Sequence, residues 1–148
     1  MQIKQIKIEV MTEHHLDRIY DIEMQSFKAP WSYIFFLEEL ANPHAINLAA
    51  CVDGCVAGYI LCRRVVNEGH INNVAVAEKY RRHGIGGALI RRLSDIIRAE
   101  GMIGLTLEVA AGNFAAQALY AKHGFVAEGL RKNYYEGNED AVIMWKYF

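Results

Sequence analysis

The sequence predicts an α/β (α+β) fold in which about seven strands alternate with about four helices. Three observations carry that prediction. Turn signals such as Asp53-Gly54 divide the chain into short apolar runs with strand rhythm. Stretches of helical apolar spacing fall between those runs. The segment Val74–Arg92, VAVAEKYRRHGIGGALIRR, reads as a strand end, a glycine-bearing loop and an amphipathic helix. With 148 residues, 53% hydrophobic and 22% charged, the chain is expected to form one domain over 1–148 with a sizeable core.

The first strand is expected over residues 3–10, where Ile6, Ile8 and Val10 keep the alternation. Thr12 can cap a helix from Glu13 to about Phe27, with Leu16, Ile19, Tyr20 and Phe27 on its apolar face. Glu23 falls close to that face, either as a half-exposed carboxylate or as a partner for a substrate cation. Pro30-Trp31-Ser32 breaks the helix, and Ser32 can cap a second one that runs through Leu40 and ends at Asn42-Pro43. Ile46–Val52 and Cys55–Val66 form a hairpin about Asp53-Gly54, and Asn67-Glu68-Gly69 turns the chain into His70–Ala77. These strands are expected to form an antiparallel meander. After the glycine loop, Ile85, Ala88, Leu89, Leu93, Ile96 and Ile97 share one face of a helix, and Gly101 stops it. Arg91, Arg92, Asp95 and Arg98 lie largely on its other face. In the strand Met102–Val109, Leu105, Leu107 and Val109 face one way, Thr106 and Glu108 the other. Asn113 caps a short helix over Phe114–His123, closed by Gly124. Phe125–Tyr134 and Asp140–Tyr147 are the last strands, joined at Glu136-Gly137-Asn138.

A net charge of −1 gives no global reason to expect nucleic-acid binding. The N-terminus alternates apolar and polar residues and lacks the apolar stretch of a signal peptide. No run is long enough to span a membrane, so a cytoplasmic location without membrane contact is expected. The three cysteines, Cys51, Cys55 and Cys62, are odd in number and lack paired ligand spacing. They are expected to be reduced strand residues, with no disulfide framework and no metal.

The chemistry concentrates in Arg81-Arg82-His83-Gly84-Ile85-Gly86-Gly87. Glycine admits a phosphate close to its backbone N–H, and a helix N-terminus supplies unpaired donors and partial positive charge. The segment therefore reads as an anion site, with a solvated basic loop as the alternative. It is not a P-loop, because Ala88-Leu89 follows Gly87 where Lys-Ser or Lys-Thr would be needed. It is not a dinucleotide fingerprint either, because Leu89 stands where that pattern needs a small residue.

The pattern Arg-x-x-Gly-x-Gly, Arg81 through Gly86, resembles the pyrophosphate-binding loop of the GNAT N-acetyltransferases. Further pieces resemble the same superfamily, and within it the RimI-like, ribosomal-protein-alanine branch. They are Pro30-Trp31-Ser32, Asn73-Val74-Ala75-Val76, Leu107-Glu108-Val109, Asn113, Ala118-Leu119-Tyr120, Gly124-Phe125, Arg131-Lys132-Asn133-Tyr134-Tyr135 and Glu139-Asp140-Ala141. The resemblance implies a mixed, mostly antiparallel sheet and acetyl-CoA as acetyl donor. It implies that Val74, Ala75 and Val76 offer backbone groups to the pantetheine arm and thioester; a buried strand end is the plainer reading. Arg82, His83, Gly84, Ile85, Gly86 and Gly87 would hold the pyrophosphate, with Arg81 bracing the loop or adding charge, and Asn113 would touch the cofactor. Glu108 aligns with the general base and Tyr120 with the general acid; an exposed strand carboxylate and a core aromatic are the alternatives. Phe27, Trp31, Ser32, Tyr134 and Tyr135 would form the acceptor groove, although the two tyrosines also fit plain strand positions.

The implied activity is acetylation of a protein N-terminus, above all an N-terminal alanine of a ribosomal protein, by a monomer or weak dimer. A lysine or small-amine acetyltransferase and a non-catalytic acyl-CoA-binding protein are the alternatives. Ala110-Ala111-Gly112-Asn113 departs from the Arg-x-Ser-Asn often found at this point in the branch, which bears on groove charge and loop rigidity. The turn at Glu136-Gly137-Asn138 also looks short for a hairpin bordering the acceptor entrance.

Overall fold

The computed structural model describes residue 3 and residues 5–148, and of Glu136 the backbone alone. Its strands are β1 (Ile6–Val10), β2 (Ala45–Val52), β3 (Cys55–Val65), β4 (Glu68–Val76), β5 (Gly104–Ala110), β6 (Val126–Tyr135) and β7 (Glu139–Tyr147). Its helices are α1 (Leu16–Ser26), α2 (Tyr33–Ala41), α3 (Ile85–Ala99) and α4 (Phe114–Lys122). The strands form one seven-stranded sheet in the order β1-β2-β3-β4-β5-β7-β6. Strands β1 to β4 make the expected antiparallel meander. β5 joins β4 in parallel, and β7 lies between β5 and β6, antiparallel to both.

Alternation along the strands divides the core into two layers. On one face Ile85, Leu89, Ile90, Leu93 and Ile97 of α3 pack with Ala50, Ile60, Cys62, Leu105, Leu107 and Met144. On the other, Leu16, Ile19 and Ile22 of α1 and Phe36 of α2 pack with Ala49, Cys51, Tyr59, Leu61 and Ala75. That second cluster holds residues of β2, β3 and β4 and none of β5, β6 or β7. Half of the second face is therefore left without helical cover.

Several boundaries differ from the sequence expectation, each for a local reason. The first strand starts at Ile6, and Lys4, inside the expected span, lies outside the described residues. The first helix opens as a 3-10 turn over Glu13–His15, where Thr12 N–H donates to His15 Nδ1 at 3.0 Å. Phe27 is extended and ends α1 rather than continuing it. Val66 takes a left-handed conformation at φ +56°, which tightens the turn so that β4 begins at Glu68. In α3 the sequence pattern omitted Ile90, which is fully buried, whereas Ile96 is only partly so. β5 starts at Gly104 because Ile103 N–H donates to Asn67 O at 2.9 Å as part of the preceding turn.

The feature that positions a site is the β4–β5 pair. Its parallel register runs Glu68↔Gly104, Gly69↔Leu105 and His70↔Thr106, and then ends. A bulge lies just beyond, because Leu61 pairs with Asn73 while Cys62 pairs with Ile71, leaving Asn72 as the extra residue on β4. A bulge bends its strand. β4 turns away from β5, and a wedge opens between Ile71–Val76 and Leu107–Ala110.

At the closed end of the wedge, β5 approaches β7 too tightly for a side chain at Gly104, since an added Cβ would meet the backbone oxygen of Lys146. Gly104→Ala is expected to lower stability by about 1–3 kcal/mol through overpacking. Urea denaturation checks this, and an unchanged midpoint would refute the close approach.

Candidate active site

The wedge is the mouth of a groove of about 1290 Å³. The splayed strands line it with Asn73 and Val74 on one side and Thr106, Leu107, Glu108 and Val109 on the other. Phe27 and Trp31 reach in from the loop between α1 and α2, Asn113 and Tyr120 from α4 and its cap, and Arg131, Tyr134 and Tyr135 from β6. Among the described residues no strand pairs with the inner edge of β4 beyond His70, so alternate backbone groups there face the wedge.

Glu108 lies on the polar face of β5, paired through its backbone with Ile143. Its carboxylate is divided between two environments. Oε1 lies 3.2 Å from Arg131 Nε, whereas Oε2 is buried and has no hydrogen-bond partner among the described residues. A buried acceptor without a donor is costly and therefore uncommon. The residue lines the groove, and the Tyr134 phenol that bonds to its carboxylate is raised above the ordinary value. Tyr135 O–H donates to the backbone oxygen of Glu108 at 3.4 Å, and burial raises its phenol above the ordinary value. Tyr120 is buried against Phe125, with ring centroids 5.8 Å apart. Burial, followed by the nearby Tyr135, pushes the Tyr120 phenol well up, so it is a neutral proton donor at physiological pH.

Glu23 corrects the expectation of a half-exposed carboxylate: it is 1% exposed. Its Oε1 accepts from Asn73 Nδ2 at 2.6 Å and from the Tyr59 hydroxyl, and its Oε2 accepts from Trp31 N–H at 3.0 Å. One carboxylate thereby joins α1, the Trp31 loop, β3 and β4 beside Val74. Glu23 sits within its donors' reach rather than offering itself to a substrate cation. The carboxylate at helical spacing was visible in the sequence; the donors from Tyr59 and Asn73 are distant along the chain and were not. Arg131 was likewise unassigned, because its partner Glu108 is far away in sequence and its placement depends on the order of β5, β7 and β6.

The glycine loop forms the start of α3. Gly84 caps the helix at φ +78° with no side-chain cap, and Arg82 is also left-handed at φ +66°. The first intrahelical bond is from Ala88 N–H to Gly84 O at 3.0 Å, so the N–H groups of Ile85, Gly86 and Gly87 lack helical acceptors. A Cβ at Gly84 would meet nothing within 4 Å, whereas one at Gly87 would lie 2.5 Å from His123 Nε2 and one at Gly86 3.2 Å from Leu119 Cδ2. Open space therefore faces Gly84, while the other two glycines admit the close packing of α4. These donors fit an anionic ligand. Arg81 Nε donates to Val76 O at 3.1 Å and so ties the loop to the end of β4. Arg82 is exposed and His83 half-buried.

Of the other expected site residues, Ala75 and Val76 have side chains in or against the core and can face the wedge only through their backbone. Ser32 does not line the groove: its Oγ accepts from Phe35 N–H at 3.2 Å as the cap of α2. The divergent segment Ala110–Asn113 is held from outside. Gln117 Nε2 donates to Ala110 O and Ala111 O at 3.1 and 3.0 Å, and Gly112 N–H donates to Glu139 Oε2 at 3.3 Å. Asn113 Oδ1 caps α4 through Ala116 N–H at 3.1 Å.

All three thiols are free. Burial raises Cys51 and Cys62 to about 12. Cys51 also approaches Glu9 and His15, with potential ligand atoms within 4.8 Å of one another. His15 Nδ1 accepts the Thr12 N–H, which leaves Nε2 to carry the proton of a neutral ring instead of a free lone pair for a metal.

The acetyltransferase (GNAT) family model matches residues 16–125. The [ribosomal protein bS18]-alanine N-acetyltransferase of Salmonella typhimurium is 34% identical over 140 residues, covering 93% of this chain and 94% of the relative. The crystal structure of the ribosomal-protein-S18-alanine N-acetyltransferase from Escherichia coli superposes with a TM-score of 0.89 at 34% identity, covering 97% of this chain and 94% of that one. An acetyltransferase of Bacillus anthracis, determined in complex with acetyl coenzyme A, superposes with a TM-score of 0.82 at 25% identity, covering 98% and 99%. The chain belongs to the GNAT acetyltransferase family, and the mixed, mostly antiparallel sheet expected of that family is the one observed.

Two outcomes follow from the site's packing. Tyr59→Phe removes a buried donor from Glu23 and is expected to cost about 1–3 kcal/mol in chemical denaturation; unchanged stability would show that Glu23 does not need it. A thiol held at about 12 is almost wholly protonated at pH 8. A disulfide reagent at pH 8 is therefore expected to label exposed Cys55 rapidly in the native protein, and Cys51 and Cys62 only on unfolding. Rapid labelling of all three would contradict their burial.

Proposed function

We propose that this GNAT-family chain transfers the acetyl group of acetyl-CoA to the N-terminal α-amine of a protein, with an N-terminal alanine of a ribosomal protein as the favoured acceptor. The observation that carries the reading is the wedge between β4 and β5, lined by the Glu108 carboxylate. The names of the Salmonella and Escherichia coli relatives support the choice of acceptor.

Acetyl-CoA supplies an activated acetyl thioester. The free N–H groups at the start of α3, with Arg82 and His83 beside them, suit its pyrophosphate, and the inner edge of β4 at Val74–Val76 suits its pantetheine arm. Asn113 stands at the groove beside these elements. Phe27, Trp31, Tyr134 and Tyr135 form apolar walls about the acceptor end of the groove. An α-ammonium has a pKa near 8 and must lose a proton before it can attack a carbonyl. Glu108 accepts that proton at Oε2, directly or through one water, while Arg131 holds Oε1. Tyr120 donates its hydroxyl proton to the departing thiolate, a role suited to a phenol kept neutral by burial.

The test is acetyl transfer to two peptides, one with a free N-terminal alanine and one blocked at its N-terminus but carrying an internal lysine. Activity on the first alone is expected; activity on the second alone would move the function to lysine acetylation. Glu108→Gln is expected to lower kcat by roughly 10²–10⁴-fold with acetyl-CoA binding retained. Full turnover in that variant would remove Glu108 from the mechanism.

A further inference from the structure

The groove does not end at Glu108. It continues down β5 on the face that no helix covers, where His70, Thr106 and Trp145 line it. Residues two apart on a strand share a face, so Glu108, Thr106 and Gly104 follow one another along β5. Their side chains shrink in that order, and the last has none. Thr106 pairs with His70 on one side and Trp145 on the other; Gly104 pairs with Glu68 and Tyr147 in the same way. The flanking side chains therefore stand on either side of β5, with Gly104 at the far end pressed against the backbone of β7.

The walls differ in chemistry. Trp145 and Tyr147 stack with ring centroids 5.2 Å apart and planes at 1°, giving an aromatic wall whose outer ring faces lie at the two ends of the stack. Opposite them, Glu68 Oε1 lies 2.9 Å from His70 Nε2. The carboxylates of Glu128 and Glu68 reach Tyr147 and raise its phenol, so negative charge surrounds the open end of the stack. Tyr147 is 58% exposed. The outer face of the stack beside these carboxylates attracts an organic cation, which gains both the ring quadrupole and the charge.

We infer that this trough receives the downstream residues of the acceptor polypeptide and holds a lysine or arginine side chain between the Trp145–Tyr147 stack and Glu68. The inference rests on the acceptor presenting its N-terminus at Glu108. An extended chain advances roughly 3.3 Å per residue, which puts the Thr106 row roughly 7 Å and the Gly104 row roughly 13 Å beyond Glu108. The cation therefore belongs at the third to fifth residue of the acceptor.

The test uses peptides with a free N-terminal alanine and neutral residues elsewhere, in which a single lysine is moved from the second to the sixth position. A second set carries glutamate in its place. With lysine at one of positions three to five, kcat/KM is expected to rise roughly 3- to 30-fold over the neutral peptide, carried by KM with kcat nearly unchanged. Glu68→Lys is expected to reverse the ranking of the lysine and glutamate peptides at that position. Should that variant not fold, Glu68→Gln, which keeps the size, is expected to bring the two sets toward parity. Equal kcat/KM for lysine at every position, or an undiminished lysine preference in the folded Glu68 variant, would overturn the trough and leave N-terminal acetylation standing. No acetylation of any free-alanine peptide would overturn the acceptor reading, and the trough with it.

Discussion

Between β4 and β5 the backbone ladder stops after His70 and Thr106, and from that row on the two strands must satisfy their inner edges in other ways. A sheet that stayed closed here would bury Glu108 between paired neighbours and leave no room for a ligand. The bulge at Asn72 prevents this by bending β4, and Arg81 holds the bend from outside by bonding Val76 O. On the far strand, Tyr135 supports the backbone of Glu108 while Arg131 holds one of its oxygens. The opening is thus braced on both sides by side chains that the site needs for other reasons.

The side of the wedge formed by the Trp31 loop and β4 is set by a buried carboxylate. Glu23 accepts from a loop N–H, a strand amide and a phenol, each contributed by a different part of the chain. Burying a carboxylate is costly unless its lone pairs are met, so the donors to Glu23 specify the position of the Trp31 loop relative to β4. The α3–α4 side is specified by packing. Gly86 and Gly87 bring α4 against α3, which fixes Tyr120 at the edge of the same groove. The two sides are therefore positioned by unlike forces, polar satisfaction on one and close packing on the other.

The incomplete helical cover gives the same face its second character. α1 and α2 shield β2 to β4, whereas β5 and β7 present Thr106, Trp145 and the stacked Tyr147 along the line that leads from Glu108. Gly104 keeps that line low because β7 lies too close for any side chain. One geometric demand, close pairing of β5 with β7, therefore shapes both the closed end of the wedge and the floor beyond it.

The sequence by itself determined most of the framework. Period-two runs and turn dipeptides yield the strands, glycine and asparagine mark the ends of α3 and α4, and the Arg81–Gly87 pattern marks the start of α3. These signals are local: each depends on neighbours within a few residues, where steric and capping rules act directly. Glu108 was legible because a glutamate on one face of an apolar strand is locally anomalous. Tertiary structure alone decided that Glu23 is buried, since its burial depends on Tyr59 and Asn73. It also decided that the missing side chains of Gly86 and Gly87 admit α4, and that Arg131 meets Glu108. In each case the deciding partner lies on an element brought near only by the sheet order. No local rule can supply that order, because the energy that selects it comes from burying apolar side chains of many sequence-distant strands at once.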